Sequence, residues 1–391
     1  MQLFDIVISG GAMTGATLAL ALNQRFNGRL KIAVVEAFDP SEQEHPGFDA
    51  RSIALSDGTV RILQAFDLWE HIFPYTTPIQ HIHVSDAGHA GMADIEPEHA
   101  GLSALGYVVE LADVGRIYTE LLRQCSSVSL FCPQQIELVD RQPDSVTVTL
   151  KNFGDIQAKL LVAADGSAST CCELLGHTAD VYDFEQSAVI ANVAVAQPHS
   201  GRAFERFTPN GPVALLPMKN ERMSLVWCME PGQAESISSD DGFAEKLQQV
   251  FGWRLGKILR AGSRAVYPLK LTVRSRTVSH RFAVIGNAAQ TLHPIAGQGF
   301  NLGIRDVATL VECLEQQQPG DVGDIAGLLK YQDRRCSDRN QTAGITSSLV
   351  SLFSNQWVPA AVSRNLGLMF FDLVPLLQQP LLKRTLGHVI R

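Results

Sequence analysis

The 391-residue chain has no run of about 18 uncharged apolar residues, the length a membrane-crossing helix needs. It also lacks a cluster of basic residues. Lys and Arg number 32 against 40 Asp and Glu, a formal net charge of −8, which excludes a phosphate-tracking nucleic-acid partner. The seven cysteines are odd in number and scattered, and none forms a C-x-x-C pair. Neither a secreted disulfide framework nor a thiol redox motif is expected; reduced thiols in a cytoplasmic protein are. The start Met1-Gln2-Leu3-Phe4-Asp5 has neither the basic region nor the cleavage site of a secretory signal. There is no G-x-S-x-G nucleophile elbow, no internal repeat and no long low-complexity tract. Hydrophobic residues make up 46% and charged residues 18%, enough apolar material for a large core rather than a disordered chain. The length suggests two domains at roughly 150 residues each.

What is there begins at once. Asp5 to Ser9 (DIVIS) is β-branched and apolar, as in a buried parallel strand. Gly10-Gly11-Ala12-Met13-Thr14-Gly15 follows, then a helical Ala/Leu pattern to about Arg25 and a second strand, Lys31 to Val35, closed by Glu36. This spacing predicts a βαβ dinucleotide-binding unit. The glycines permit a tight turn and close approach to a pyrophosphate, and the helix N-terminus offers free N–H groups. Glu36, some 20 residues beyond Gly15, is placed to hold a ribose hydroxyl pair. Ala12 stands where the fingerprint has its second glycine, so a Cβ crowds the phosphate side. The motif alone does not separate FAD from NAD.

Two later segments add to it. Leu160 to Ala164 is a strand-like run ending in Asp165-Gly166-Ser167, and Phe282 to Ile285 leads into Gly286-Asn287. The string that follows, from His293-Pro294 through Gly297-Gln298-Gly299-Phe300-Asn301 to Arg305-Asp306 (HPIAGQGFNLGIRD), resembles the signature of the ubiquinone-biosynthesis hydroxylases. These lie within the p-hydroxybenzoate-hydroxylase-like flavoprotein monooxygenases. The resemblance extends over essentially the whole chain. Segments near Val84 to Gly91, Gly201 to Phe207 and Phe251 to Lys257 are similar to the branch that acts on a prenylated methoxyphenol.

The resemblance implies an α/β (mixed α+β) fold: a Rossmann-like FAD-binding domain, an inserted β-sheet substrate domain and a helical C-terminal tail. The expected division is 1–75, 105–178 and 280–340 for FAD, 76–104 and 179–279 for substrate, and 341–391 for the tail. It implies FAD as cofactor and NAD(P)H as co-substrate. O₂ adds at the flavin C4a position, and one oxygen atom passes to a phenol ring, para to its hydroxyl. By position, Gly10, Gly11, Ala12, Gly15 and Glu36 hold the ADP part. Arg51 lies near the phosphates, Arg116 at a further cofactor position, and Asp165 and Gly166 touch flavin and nicotinamide. Gly286 and Asn287 meet the ribityl chain, His293 and Pro294 lie near the flavin ring, and Gly297, Gln298, Gly299 and Asn301 face its pyrimidine end. The helix opening there can stabilise charge on the reduced ring by roughly 0.3–2 kcal/mol. Asn287, Cys172 and Gln290 replace a usual Asp, Arg and His of the family. Implied partners are the prenylated phenol and O₂; a ubiquinone-biosynthesis complex and a homo-oligomer are compatible with it. A scaffolding flavoprotein subunit of such a complex, or another phenol hydroxylase of the family, is the alternative.

The middle of the chain, including Ser187 to Val195 and Arg222 to Cys228, alternates as strands of an antiparallel or mixed sheet. In the tail, Ile345, Leu349, Leu352 and Phe353 share a helical face, and Leu366 to Leu377 is dense in apolar residues. The tail reads either as packing on the cofactor domain or as peripheral contact with the inner membrane or a prenyl chain. His81 and His83 share a strand face without a third ligand at metal spacing, so no metal is expected. Cys171 and Cys172 read as helix packing. No base for the phenolic proton is identified; Tyr182, Tyr267 and His293 are candidates.

Overall fold

The four apolar runs that lead into the glycine, acidic and D-G motifs meet in one sheet. In this computed structural model, residues 1–38, 51–317, 321–354 and 382–388 are described. Among them a six-stranded sheet runs in the order Val278–Ser279, Phe282–Val284, Leu160–Ala163, Ile6–Ser9, Ile32–Val35 and Val128–Phe131. All neighbours are parallel except the Val278–Ser279 edge. Strands covered on both faces need apolar side chains at every position, not every second one. Every residue of the four central strands is accordingly buried. The Met13–Arg25 helix packs on this sheet and against the Gln298–Gln316 helix, with Leu18, Ala19 and Leu22 in the core.

The middle of the chain forms a second, eight-stranded sheet. Its order is Gln290–Thr291, Ile258–Val273, Asp180–Val195, Arg222–Met229, Val213–Pro217, Arg202–Phe207, His81–Asp86 and Met92–Ile95. It is mixed: Arg202–Phe207 and His81–Asp86 are parallel, the other neighbours antiparallel. One face packs on two short helices through Phe204, Leu215, Leu225, Trp227, Phe243 and Phe251. The other face is turned to a cavity described below. Period-2 alternation makes this possible, since each strand presents one set of side chains to each side.

Two smaller sheets were not foreseen. Gln2–Leu3 joins Gly154–Ala158, Val146–Leu150 and Ile136–Arg141. Ser52–Ser56, Gly106–Glu110 and Thr77–Ile79 form the other, which runs across the boundary expected between 75 and 76. The tail continues the Ile325–Ser354 helix, and a short turn of helix at 382–385 returns to the cavity. The apolar stretch Leu366 to Leu377 lies outside the described residues. No helix among the described residues is long and apolar enough to cross a membrane.

A buried charge network fastens the tail helix to the site. Arg335 donates from Nε to Asp306 Oδ1 (2.7 Å) and from a terminal nitrogen to Asp338 Oδ2 (2.6 Å), which also accepts from Arg305 Nε (2.8 Å). Burial raises the Asp338 carboxyl, but Arg305 and Arg335 outweigh it and hold the group below its ordinary range. Breaking a buried pair by removing one partner strands the other charge. Arg335→Ala is therefore expected to destabilise the protein by about 3–5 kcal/mol, read as a shift of the urea midpoint at unchanged slope.

Candidate functional site

A cavity of about 1370 Å³ lies where the C-terminal ends of the parallel strands face the eight-stranded sheet. One half is polar and built from the motifs. The other is apolar and built from the sheet.

The polar half is organised by two helix N-termini. The Met13–Arg25 helix starts at Ala12 with no side-chain cap and no acidic residue in its first turn. The Gln298–Gln316 helix starts at Gly297 in the same condition. A first helical turn leaves N–H groups without intrahelical partners and carries a partial positive charge. By contrast, Asp57–Ala65 is capped by Ser56 and carries Asp57 in its first turn. Both uncapped ends, at Ala12 to Thr14 and at Gly297 to Gly299, line the cavity, an arrangement suited to anionic groups.

Glycine geometry brings these ends close. Gly10 has φ +95°, and a Cβ there would lie 2.5 Å from Ala164 O. A Cβ on Gly15 would lie 1.9 Å from Gly10 O. Gly297 has φ +59°, which turns the chain into its helix. Ala12, at φ −72° and ψ −171°, is extended, so its backbone needs no glycine.

Twelve of the expected residues line the cavity: Gly10, Ala12, Glu36, Arg51, Asp165, Gly166, Asn287, Pro294, Gly297, Gln298, Gly299 and Asn301. Gly11, Gly15 and Gly286 stand behind the wall. Gly11 N–H donates to Glu36 Oε2 (2.6 Å), and Gly286 N–H donates to Asp306 Oδ2 (3.1 Å). Glu36 also accepts from Phe38 N–H (3.0 Å), so its carboxylate is fixed at the cavity edge. Asp165 Oδ2 accepts from Ser9 Oγ and Cys171 N–H, both at 3.3 Å, while its buried Oδ1 has no partner among the described residues. An unpaired buried acceptor beside two uncapped helix ends fits a hydroxyl-bearing phosphate ligand.

Three residues depart from expectation. Arg116 is not brought to the cavity: its side chain is 56% exposed, pairs with Asp113 at 3.6 Å and lies 5.0 Å over the Tyr75 ring. Asn301 reaches the wall, but its side chain is spent on the protein. Its Oδ1 accepts from Ser56 N–H and Thr59 Oγ, and its Nδ2 donates to Ala54 O and Gly297 O. It is a clamp between the helix start and the Ser52–Ser56 strand. His293 is buried behind Pro294, edge-on to Phe184, with Nε2 3.2 Å from Gln186 Oε1. Burial pushes its pKa down to about 4, so it stays neutral at physiological pH. Of the other candidates for the proton base, Tyr182 is 63% exposed and Tyr267 lies under Arg51 at 4.9 Å. His81 and His83 both pair with Asp94, at 3.0 and 2.7 Å.

Sequence reasoning missed the apolar half. Ile190, Val226, Ala214, Leu216, Ile82, Val84 and Phe207 come from the sheet, and Leu382 and Leu386 come from the returning tail. It also missed Glu205, set among them. The signal was available in the Ala203, Glu205, Phe207 alternation, a carboxylate on the face of a strand that is otherwise apolar.

The comparisons agree with this geometry. Residues 4–343 match the family model described as FAD binding domain. The chain is 32% identical to the ubiquinone hydroxylase UbiL of Rhodospirillum rubrum, over 98% of this chain and 89% of that one. It is 29% identical to the 3-demethoxyubiquinol 3-hydroxylase of Escherichia coli, over 98% of both. Among solved structures, p-nitrophenol 4-monooxygenase PnpA from Pseudomonas putida superposes with a TM-score of 0.84 at 17% identity, over 100% of both chains.

Three outcomes are expected from the site. Gly15→Ala forces the glycine turn open and is expected to lose FAD, read as the ratio of 450 to 280 nm absorbance after gel filtration. Glu36→Ala is expected to weaken FAD binding by about 10–100-fold, the size of a lost hydrogen bond to a charged group, read by fluorescence titration of apoprotein. The depressed His293 pKa means that stability present above pH 6.5 is lost as pH falls toward about 4. His293→Gln is expected to flatten that part of the stability curve, measured by thermal melts across the window.

A domain match over most of the chain, and a relative 32% identical along nearly all of it, show that this flavoprotein monooxygenase belongs to the FAD-binding-domain family, among the ubiquinone-biosynthesis hydroxylases.

Proposed function

We propose that the protein uses NAD(P)H and O₂ to hydroxylate a polyprenylated methoxyphenol para to its hydroxyl, in ubiquinone biosynthesis. The observation that carries this reading is the two-part cavity: a polar half with two uncapped helix ends, continuous with an apolar half large enough for a substituted ring and the start of a prenyl chain. The named functions of the two relatives, both of which act in ubiquinone synthesis by their names, support it.

In this reading Gly10 to Gly15 and the Met13–Arg25 helix hold the diphosphate, Glu36 the adenosine ribose, Asp165 and Asn287 the groups between diphosphate and ring, and Arg51 the phosphates. Pro294 and the Gly297 to Gly299 backbone flank the ring. When bound, FAD supplies the electron transfer and oxygen activation. The chain's own contribution is geometric and electrostatic. The N–H groups of Gln298 and Gly299 hold negative charge at the pyrimidine edge. The sheet residues Ile190, Val226, Leu216 and Val84 exclude water from the reacting ring, which keeps activated oxygen from being lost as peroxide. The net reaction consumes the phenol, O₂, NAD(P)H and a proton, and yields the hydroquinone, NAD(P)⁺ and water.

The same reading assigns 1–75, 105–178 and 280–340 to cofactor binding, 76–104 and 179–279 to substrate and 341–391 to a helical tail, a division that two strands cross, Thr77–Ile79 pairing with Gly106–Glu110 and Gln290–Thr291 with the eight-stranded sheet. It places the long prenyl tail outside the cavity along Leu382 and Leu386, toward a membrane surface that the protein touches peripherally, in company with other enzymes of the pathway.

The test is rapid mixing of FAD-loaded protein with NAD(P)H and a short-chain 2-prenyl-6-methoxyphenol, without and then with O₂. Phenol-accelerated bleaching of the oxidised flavin, followed by a hydroquinone carrying one ¹⁸O atom from ¹⁸O₂, is expected. Tight FAD binding with no reduction by either nicotinamide, with or without the phenol, would refute self-sufficient hydroxylation and leave a scaffolding flavoprotein.

A further inference from the structure

The cavity face of the eight-stranded sheet carries one cross-strand row whose members are paired by register: Ile190 with Val226, Val226 with Ala214, Ala214 with Glu205, Glu205 with Val84 and Val84 with Ala93. All six line the cavity. Five are aliphatic and one is a carboxylic acid. A buried carboxylate in such a row costs free energy unless something satisfies it. No hydrogen bond or ion pair among the described residues does so, and part of the Glu205 surface opens on the cavity. Its neighbours on the flanking strands, Ala214 and Val84, carry no charge. The titratable group that feels it is the Cys228 thiol, which burial and this carboxylate both push up. The other ionisable residues lining the cavity, Glu36, Arg51 and Asp165, belong to the polar half. Burial alone pushes the Glu205 pKa up to about 7.

An unpartnered acceptor in an apolar wall calls for a ligand that is apolar around a single hydroxyl, which describes the substrate class proposed above; the inference rests on that reading. We propose that Glu205 is a catalytic residue whose carboxylate accepts the hydrogen bond of the substrate's phenolic O–H and takes its proton while oxygen is delivered to the ring carbon para to it. As the phenolic O–H bond breaks, the carboxyl O–H bond forms, and the oxygen electron pair moves into the ring to form a carbonyl. The para carbon uses the displaced ring pair to bond the incoming oxygen. The second oxygen atom leaves as water at the expense of NAD(P)H. Loss of the proton on the para carbon restores the aromatic ring, and Glu205 returns its proton to the carbonyl oxygen. A carboxyl poised near neutrality is half ionised where the enzyme works, which is where proton acceptance is most effective.

Steady-state kinetics of the FAD-loaded wild type, Glu205→Gln and Glu205→Asp with the short-chain prenylated methoxyphenol test this. Product hydroquinone and NAD(P)H consumed are counted separately across about pH 5.5–8.5. For the wild type, kcat for hydroquinone formation is expected to rise with pH and level off above about 7, since the base must be ionised. Glu205→Gln is expected to form hydroquinone at least about 100-fold more slowly, to lose that pH limb and to divert NAD(P)H oxidation to peroxide. Glu205→Asp is expected to recover part of the rate and the limb. A wild type that hydroxylates beside a Glu205→Gln variant with the same pH profile and the same product yield overturns the role of Glu205 alone. A wild type that hydroxylates no phenol overturns both this role and the functional reading beneath it. FAD content and melting temperature of each variant separate misfolding from lost chemistry, and where Glu205→Gln fails to fold, the profile of Glu205→Asp decides.

Discussion

The Asp306 carboxylate holds the cavity wall in place. Its Oδ2 accepts from Gly286 N–H and Gln290 Nε2, and its Oδ1 accepts from Arg335 Nε. One buried side chain thus joins the turn after the Phe282–Val284 strand, the Gln298–Gln316 helix on which it sits, and the Ile325–Ser354 tail helix. Gly286 in turn must be a glycine. It has φ +61°, and a Cβ would press within 2.8 Å of Thr14 at the start of the first helix. The Asp306 carboxylate and the close approach of Gly286 to Thr14 thus reinforce the direct packing of the two helices whose starts define the polar half. Asn301 extends the same construction to the Ser52–Ser56 strand, using all four of its hydrogen bonds. Such a buried network fixes geometry more than it adds stability. A site that must hold a flexible dinucleotide needs that rigidity.

The fold was legible where periodicity is simple. Ile6–Ser9, Ile32–Val35, Leu160–Ala163 and Phe282–Val284 are apolar at every position and came out as the buried parallel strands that such runs predict. The helix starting at Gln298 was announced by the preceding proline and glycines. The small sheets were not legible, because Gln2–Leu3 and Thr77–Ile79 are too short to show alternation, and their pairing depends on contacts far along the chain. The tail's return to the cavity at Leu382 and Leu386 has the same character. Nothing in the local pattern of seven residues says which distant surface they cover.

At the site, backbone roles were easier to foresee than side-chain roles. Gly10, Gly15 and Gly297 do what glycine alone does well, and spacing fixes where they fall. Side chains are decided by what surrounds them in space. Arg116 lies on a helix whose outer face carries Asp113, with Tyr75 beneath its guanidinium, and this holds it away from the cavity. His293 and Pro294 are adjacent in sequence, yet only the proline faces the cavity, because the chain turns between them and buries the imidazole against Phe184. Glu205 went unnoticed for the opposite reason. The alternation puts Glu205 on one face with Ala203 and Phe207, but only the sheet shows that this face is turned to the cavity rather than to solvent.

The departures from the family pattern gain a different meaning once each is placed. Taken together in the sequence, Ala12, Asn287, Cys172 and Gln290 suggest a worn cofactor site. Ala12 has an extended backbone that any residue adopts, so its methyl group costs no strain. Gln290 donates to Asp306, which makes it part of the clamp. Asn287 remains on the cavity wall with donor and acceptor both available to a polyol. Cys172 is buried, capped by Ser169 and close enough to Arg274 for that cation to lower its pKa against the rise that burial causes. Arg274 in turn donates to the carbonyls of His177 and Ala288. A guanidinium therefore lies beside position 172 even though the residue at that position carries none. Gln290 is taken up by Asp306 and Cys172 has Arg274 beside it, while Ala12 costs no backbone strain and Asn287 keeps its place on the wall, so none of the four replacements dismantles the polar half.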